Sequence, residues 1–111
     1  MIQAGTILAL DTSMEASSVA VFDCARSLVL AESYRVPGRG HAEILFDQIF
    51  EVTRASGVEL KAMSRFAVCT GPGNFTGVRI ALAAARGLAL AAARPVVGIS
   101  SLETIAAGAD A

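Results

Sequence analysis

A chain of 111 residues is one domain, long enough to bury a core and too short for a second unit of ordinary size. Hydrophobic residues make up 54% of it and charged ones 17%, richer than a small soluble surface requires, so some apolar surface is expected to meet another chain. The net charge is −1 and Lys61 is the only lysine, which excludes a polybasic nucleic-acid face.

Thr6 to Leu10 is a compact apolar run that predicts a strand, closed by Asp11-Thr12-Ser13, whose side chains can bond their own backbone in a turn. Ser18 to Phe22 and Leu28 to Tyr34 predict two more strands, joined by a connection short enough for an antiparallel hairpin. Pro37-Gly38-Arg39-Gly40 breaks the pattern, and His41 to Ser56 then reads as a helix stopped by Gly57. A strand from Phe66 to Cys69, a helix from Thr76 to Arg94 and a strand from Val96 to Ile99 follow, with a further helix starting at Ser101 or Leu102. The order β-β-β-α-β-α-β-α predicts an α/β lobe. Its mixed five-stranded sheet has three antiparallel strands followed by two parallel ones joined through helical crossovers.

Gly71-Pro72-Gly73-Asn74-Phe75-Thr76-Gly77 lies between a strand and a helix, where unpaired backbone N–H groups and the helix dipole favour an anion or a close backbone neighbour. Gly71 and Gly73 fill the first two positions of a dinucleotide fingerprint, but the third falls on Thr76, and no Gly-Lys-Ser/Thr follows. The simpler reading is a tight turn stiffened by Pro72, with Asn74 or Thr76 capping the helix.

The helices carry more apolar surface than one core face needs. In the first, Ile44, Leu45, Ile49 and Val52 form a stripe, and Phe46 and Phe50, four apart, widen it beyond roughly 100°. The second is Ala, Gly, Leu, Ile and Val apart from Arg79, Arg86 and Arg94, and small residues there would let another helix approach closely. Core packing accounts for one face of each helix; a partner chain or a missing bulky domain accounts for the other. Arg86 splits the Ala-rich stretch into pieces well short of the roughly 20 residues a membrane span needs. Together with an amino terminus lacking a basic, apolar leader, this predicts a soluble cytoplasmic protein with no membrane partner. Cys24 and Cys69 stand apart with no His at ligand spacing, which predicts free thiols and no metal site.

Three segments together resemble one family: Ile7-Leu8-Ala9-Leu10-Asp11-Thr12-Ser13 with Glu15 to Ala20, then Gly71-Pro72-Gly73-Asn74-Phe75-Thr76-Gly77-Val78-Arg79-Ile80, then Val97-Gly98-Ile99-Ser100-Ser101-Leu102-Glu103. They look like the TsaB (YeaZ) family of tRNA threonylcarbamoyladenosine biosynthesis, a resemblance that spans almost the whole chain. The family usually has Ser where Asn74 stands; both can cap a helix. The resemblance implies an actin-like, ribonuclease H-like fold, an inactive homologue of the TsaD glycoprotease-like family, with residues 1–111 as a first lobe and a second lobe absent. It implies a noncatalytic subunit supporting transfer of a threonylcarbamoyl group to the adenosine 3′ of the tRNA anticodon. Its expected partners are a catalytic TsaD-type sister and a TsaE-type ATPase, with a homodimer in isolation and tRNA met only indirectly.

The TsaD-type sister looks like a homologue with a metal-binding His-x-x-x-His where this chain has Ser101-Leu102-Glu103-Thr104-Ile105, so no metal and no catalytic residue is expected. The partner interface is expected on Ile44, Phe46, Phe50, Val78, Leu82, Ala85 and Ala89. A nucleotide site is expected, if at all, at Asp11, Thr12, Ser13, Gly71 and Gly73, where actin-like kinases place a carboxylate beside a phosphate hairpin. ATP and magnesium would then belong only to the full-length complex. The simpler reading of these polar residues is a self-satisfied turn. His41 is read as a structural residue opening the first helix, and Glu103 as a dipole partner in a first turn. The alternative reading of the chain is an enzyme, a nucleotide-dependent phosphotransferase or a metalloprotease-like member of the actin-like fold.

Overall fold

The computed structural model describes residues 5–12, 16–36, 41–71 and 75–100. In chain order the elements are β1 (Thr6–Asp11), β2 (Ser17–Asp23), β3 (Leu28–Arg35), α1 (His41–Ser56), a 3-10 turn (Leu60–Ala62), β4 (Arg65–Gly71), α2 (Phe75–Ala92) and β5 (Val96–Ser100). They form one five-stranded sheet in the order β3-β2-β1-β4-β5. β1 pairs antiparallel with β2 and β2 with β3, while β1 with β4 and β4 with β5 are parallel. The mixed sheet expected from the sequence is therefore present. The helix expected from Ser101 or Leu102 lies outside the described residues.

Period-two alternation sets the two faces of the sheet. Leu8 and Leu10 of β1, Val19 and Val21 of β2, and Phe66 and Val68 of β4 are buried together. Leu45, Ile49 and Val52 of α1 and Ala81, Ala84, Ala85 and Ala89 of α2 pack onto them. Each fully buried Leu, Ile, Val or Phe is worth roughly 1.5–3 kcal/mol relative to an exposed one, so this layer is the main source of stability. The alanines of α2 let it lie close to the sheet, and the bulkier α1 spans β2 and β3.

Gln48 breaks the apolar stripe of α1 and is nevertheless fully buried. Its side-chain oxygen accepts from the Ser17 hydroxyl at 2.5 Å, and its amide donates to the Ser17 carbonyl at 2.8 Å and to Ser33 Oγ at 3.1 Å. Ser33 donates in turn to Glu51, which is ion-paired with Arg35. A buried amide with its partners in place fixes how α1 rotates over β2 and β3.

Two helix ends differ from each other in an informative way. α1 stops at Gly57, whose φ of +74° lets its N–H return to the Thr53 carbonyl at 3.1 Å. α2 stops at Ala92, two residues earlier than the sequence predicts, because Ala93 takes φ +56°. The N–H of Arg94 then bonds the Ala89 carbonyl at 2.9 Å and that of Ala93 bonds Leu90 at 3.3 Å, the double bond of a Schellman ending. Pro95 disfavours a helical Arg94, which places the stop before it. The 3-10 turn was not anticipated; it buries Met63 and brings the Ser64 N–H to the Thr6 carbonyl at 2.7 Å, anchoring the start of β1.

Candidate functional site

Because β1, β4 and β5 run parallel, their carboxyl ends meet at one edge of the sheet, the place where open α/β sheets bind ligands. Asp11 closes β1 there, half-buried, at the rim of a cavity of about 340 Å³ lined also by Ala9, Ser18, Ala20, Cys69 and Ile99. These residues sit on the sheet face away from α1 and α2, so the cavity is an apolar trough carrying one carboxylate. Gly71 closes β4 and pairs with Ser100 of β5. Ser13 and Gly73 lie outside the described residues.

Thr12, expected in a phosphate hairpin, is fully buried, and its hydroxyl donates to the Gly77 carbonyl in the first turn of α2. A Cβ on Gly77 would collide with the Thr12 carbonyl oxygen. The last glycine of the Gly-rich segment therefore serves a close approach between the end of β1 and the start of α2, a helical position where positive φ plays no part. The sequence marks the glycine as unusual but cannot show what it touches.

The interface residues predicted on the helices divide. Phe46 is 43% exposed and Phe50 is 59% exposed, both on the outer side of α1. Ile44, Val78 and Leu82 are half-buried, with Leu82 packed against the core. Ala85 and Ala89 are core residues, which corrects their placement on a partner face. In a helix made almost wholly of small apolar residues, composition does not mark the buried side; contact with β4 does. Leu90, which the sequence reading passed over, is 84% exposed. It shares the outward side of α2 with Ala83, Gly87 and the exposed Arg79 and Arg86, and a Cβ on Gly87 would touch nothing within 4 Å.

Among the described residues no three His, Cys, Asp or Glu side chains converge as a metal site would require. Cys24 is half-buried and Cys69 buried, and no disulfide joins them. No described helix is long and apolar enough to cross a membrane.

Residues 34–111 match the family model described as TsaD, tRNA N6-adenosine threonylcarbamoyltransferase. The tRNA threonylcarbamoyladenosine biosynthesis protein TsaB of Escherichia coli (strain K12) is 38% identical over 103 residues, covering 93% of this chain and 43% of that protein. TsaB of Haemophilus influenzae is 39% identical over 104 residues, covering 94% and 43%. Among solved structures, YeaZ from Pseudomonas aeruginosa superposes with a TM-score of 0.77 at 42% identity, over 86% of this chain and 43% of that one. The chain thus spans less than half the length of these relatives.

Proposed function

The chain belongs to the TsaD family, in the TsaB (YeaZ) branch marked by its relatives and structural neighbours, and from that premise we propose that it is a noncatalytic partner subunit in tRNA threonylcarbamoyladenosine biosynthesis. It pairs with a catalytic TsaD-type subunit through the outer faces of α1 and α2, and so supports transfer of the threonylcarbamoyl group to the adenosine beside the anticodon. A TsaE-type ATPase joins the same assembly, and a second copy of the chain can use the same face in the sister's absence.

The observation that carries this reading is the outward pair Phe46 and Phe50. Two phenyl rings four residues apart on one helix are costly to leave in water and are the residue type that anchors interfaces. The outward Leu90 of α2 supports it as a further apolar contact, with Ala83 and Gly87 as small positions beside it. The noncatalytic part of the reading is supported by the sequence, which holds one histidine and has Ser101 and Ile105 where the sister carries its histidine pair.

The test is assembly. With the full chain and a purified TsaD-type subunit from the same cell, Phe46→Glu together with Phe50→Glu is expected to weaken complex formation by at least about tenfold, while the variant keeps its own melting transition. Unchanged affinity would assign the interface elsewhere. Turnover of substrate by this chain without its sister would remove the noncatalytic role.

A further inference from the structure

Phe50 does more than stand outward. It lines a cavity of about 540 Å³ at the carboxyl end of α1 together with Val58, Leu60, Arg54 and Lys61. Val58 and Leu60 are half-buried and rest on the core, so the apolar part of the lining is held in place. Arg54 and Lys61 are exposed, and among the described residues neither has an ion-pair partner. Arg54 faces the carbonyl end of the helix dipole, but two cations against one acid on the rim, Glu59, leave the groove positive. An apolar recess edged by two unpaired cations is complementary to an apolar side chain with a carboxylate beside it.

We infer that this groove receives an apolar side chain of a partner polypeptide, with an adjacent partner carboxylate set opposite Arg54 and Lys61. The inference rests on the reading of α1 as the partner face and deepens it by giving the chemistry of the contact. A nucleic acid is disfavoured because Glu43 and Asp47 are exposed on the same helix and would repel successive phosphates. A single carboxylate at the helix end escapes that repulsion. The apolar anchor supplies burial against Phe50 and Leu60, and the charge pair fixes orientation and speeds encounter.

The experiment titrates the full chain against the purified TsaD-type subunit at two salt concentrations. Arg54→Glu combined with Lys61→Glu is expected to weaken binding by at least about tenfold and to flatten its salt dependence, while Arg54→Lys combined with Lys61→Arg keeps both. Phe46→Glu, outside the groove, reports separately on the wider face. If Phe46→Glu weakens binding and the charge reversal does not, the groove contact is overturned and the partner face stands. If neither weakens it, both fall together. If the reversal leaves protein affinity intact but lowers affinity for tRNA, the groove is a nucleic-acid contact and the inference is wrong.

Discussion

The Thr12 hydroxyl donates to the main-chain carbonyl of Gly77, and the space between the two residues is too small for any side chain on the glycine. One contact therefore locks the carboxyl end of β1 to the first turn of α2. Gly77→Ala would drive a methyl group into backbone that cannot swing aside. It is expected to cost about 3 kcal/mol or to prevent folding, at the upper end of overpacking effects. Thr12→Val, which keeps the shape and removes the donor, is expected to cost about 0.5–1.5 kcal/mol, the net worth of one hydrogen bond to a carbonyl that also belongs to α2, and Thr12→Ser markedly less. Urea denaturation of the three variants checks the order. A Gly77→Ala protein as stable as the parent would show that β1 and α2 do not meet this way.

The two helix endings make a matched pair. Gly57 at φ +74° has nothing within 4 Å of a built Cβ, so Gly57→Ala introduces only the backbone penalty of a left-handed alanine, about 1 kcal/mol. Ala93 already bears that penalty at φ +56°. Ala93→Gly should accordingly stabilise the protein by about 0.5–1 kcal/mol, reduced by the greater freedom glycine gives the unfolded chain. Opposite signs from the same pair of residue types, read in thermal melts, are the signature. A destabilising Ala93→Gly would mean that α2 continues past Ala92.

The same contrast shows what the sequence could carry. His41 to Ser56 was legible end to end, because an apolar stripe with helical period is followed by the residue that left-handed backbone prefers. The end of α2 was not, because an alanine at a Schellman position reads as one more helix former. Gln48 was illegible for a related reason: a polar residue within the stripe looks like surface until Ser17 and Ser33 are brought beside it by the pairing of β2 and β3. The mixed sheet followed from local patterns and crossover rules, whereas the duties of Thr12, Ala85 and Ala89 depend on contacts far away in sequence. Phe46 and Phe50 could be picked out because two aromatic residues widened a stripe that was already complete.

The hairpin between β2 and β3 supplies a pH-dependent increment of stability. Asp23 accepts from the Arg26 Nε at 2.7 Å, and its other oxygen accepts from the N–H groups of Ala25 at 3.0 Å and Arg26 at 3.3 Å. The Arg26 side-chain hydrogen bond is the chief cause that holds the carboxyl below its ordinary value; desolvation opposes it, and the turn amides and the guanidinium charge add to the lowering. The folded state thus releases this proton more readily than the unfolded chain does. The stabilisation is fully present above the unfolded-state value and is lost as pH falls through the depressed folded-state one. Asp23→Asn retains an acceptor for the turn amides and removes the charge, so it should melt lower than the parent at neutral pH, with the gap closing as pH falls below the ordinary carboxylate range. Added salt should narrow the neutral-pH gap too, because Arg26 is exposed. A gap that stayed constant down to strongly acid pH would show that the carboxylate contributes shape alone, and that its charge does nothing for the hairpin.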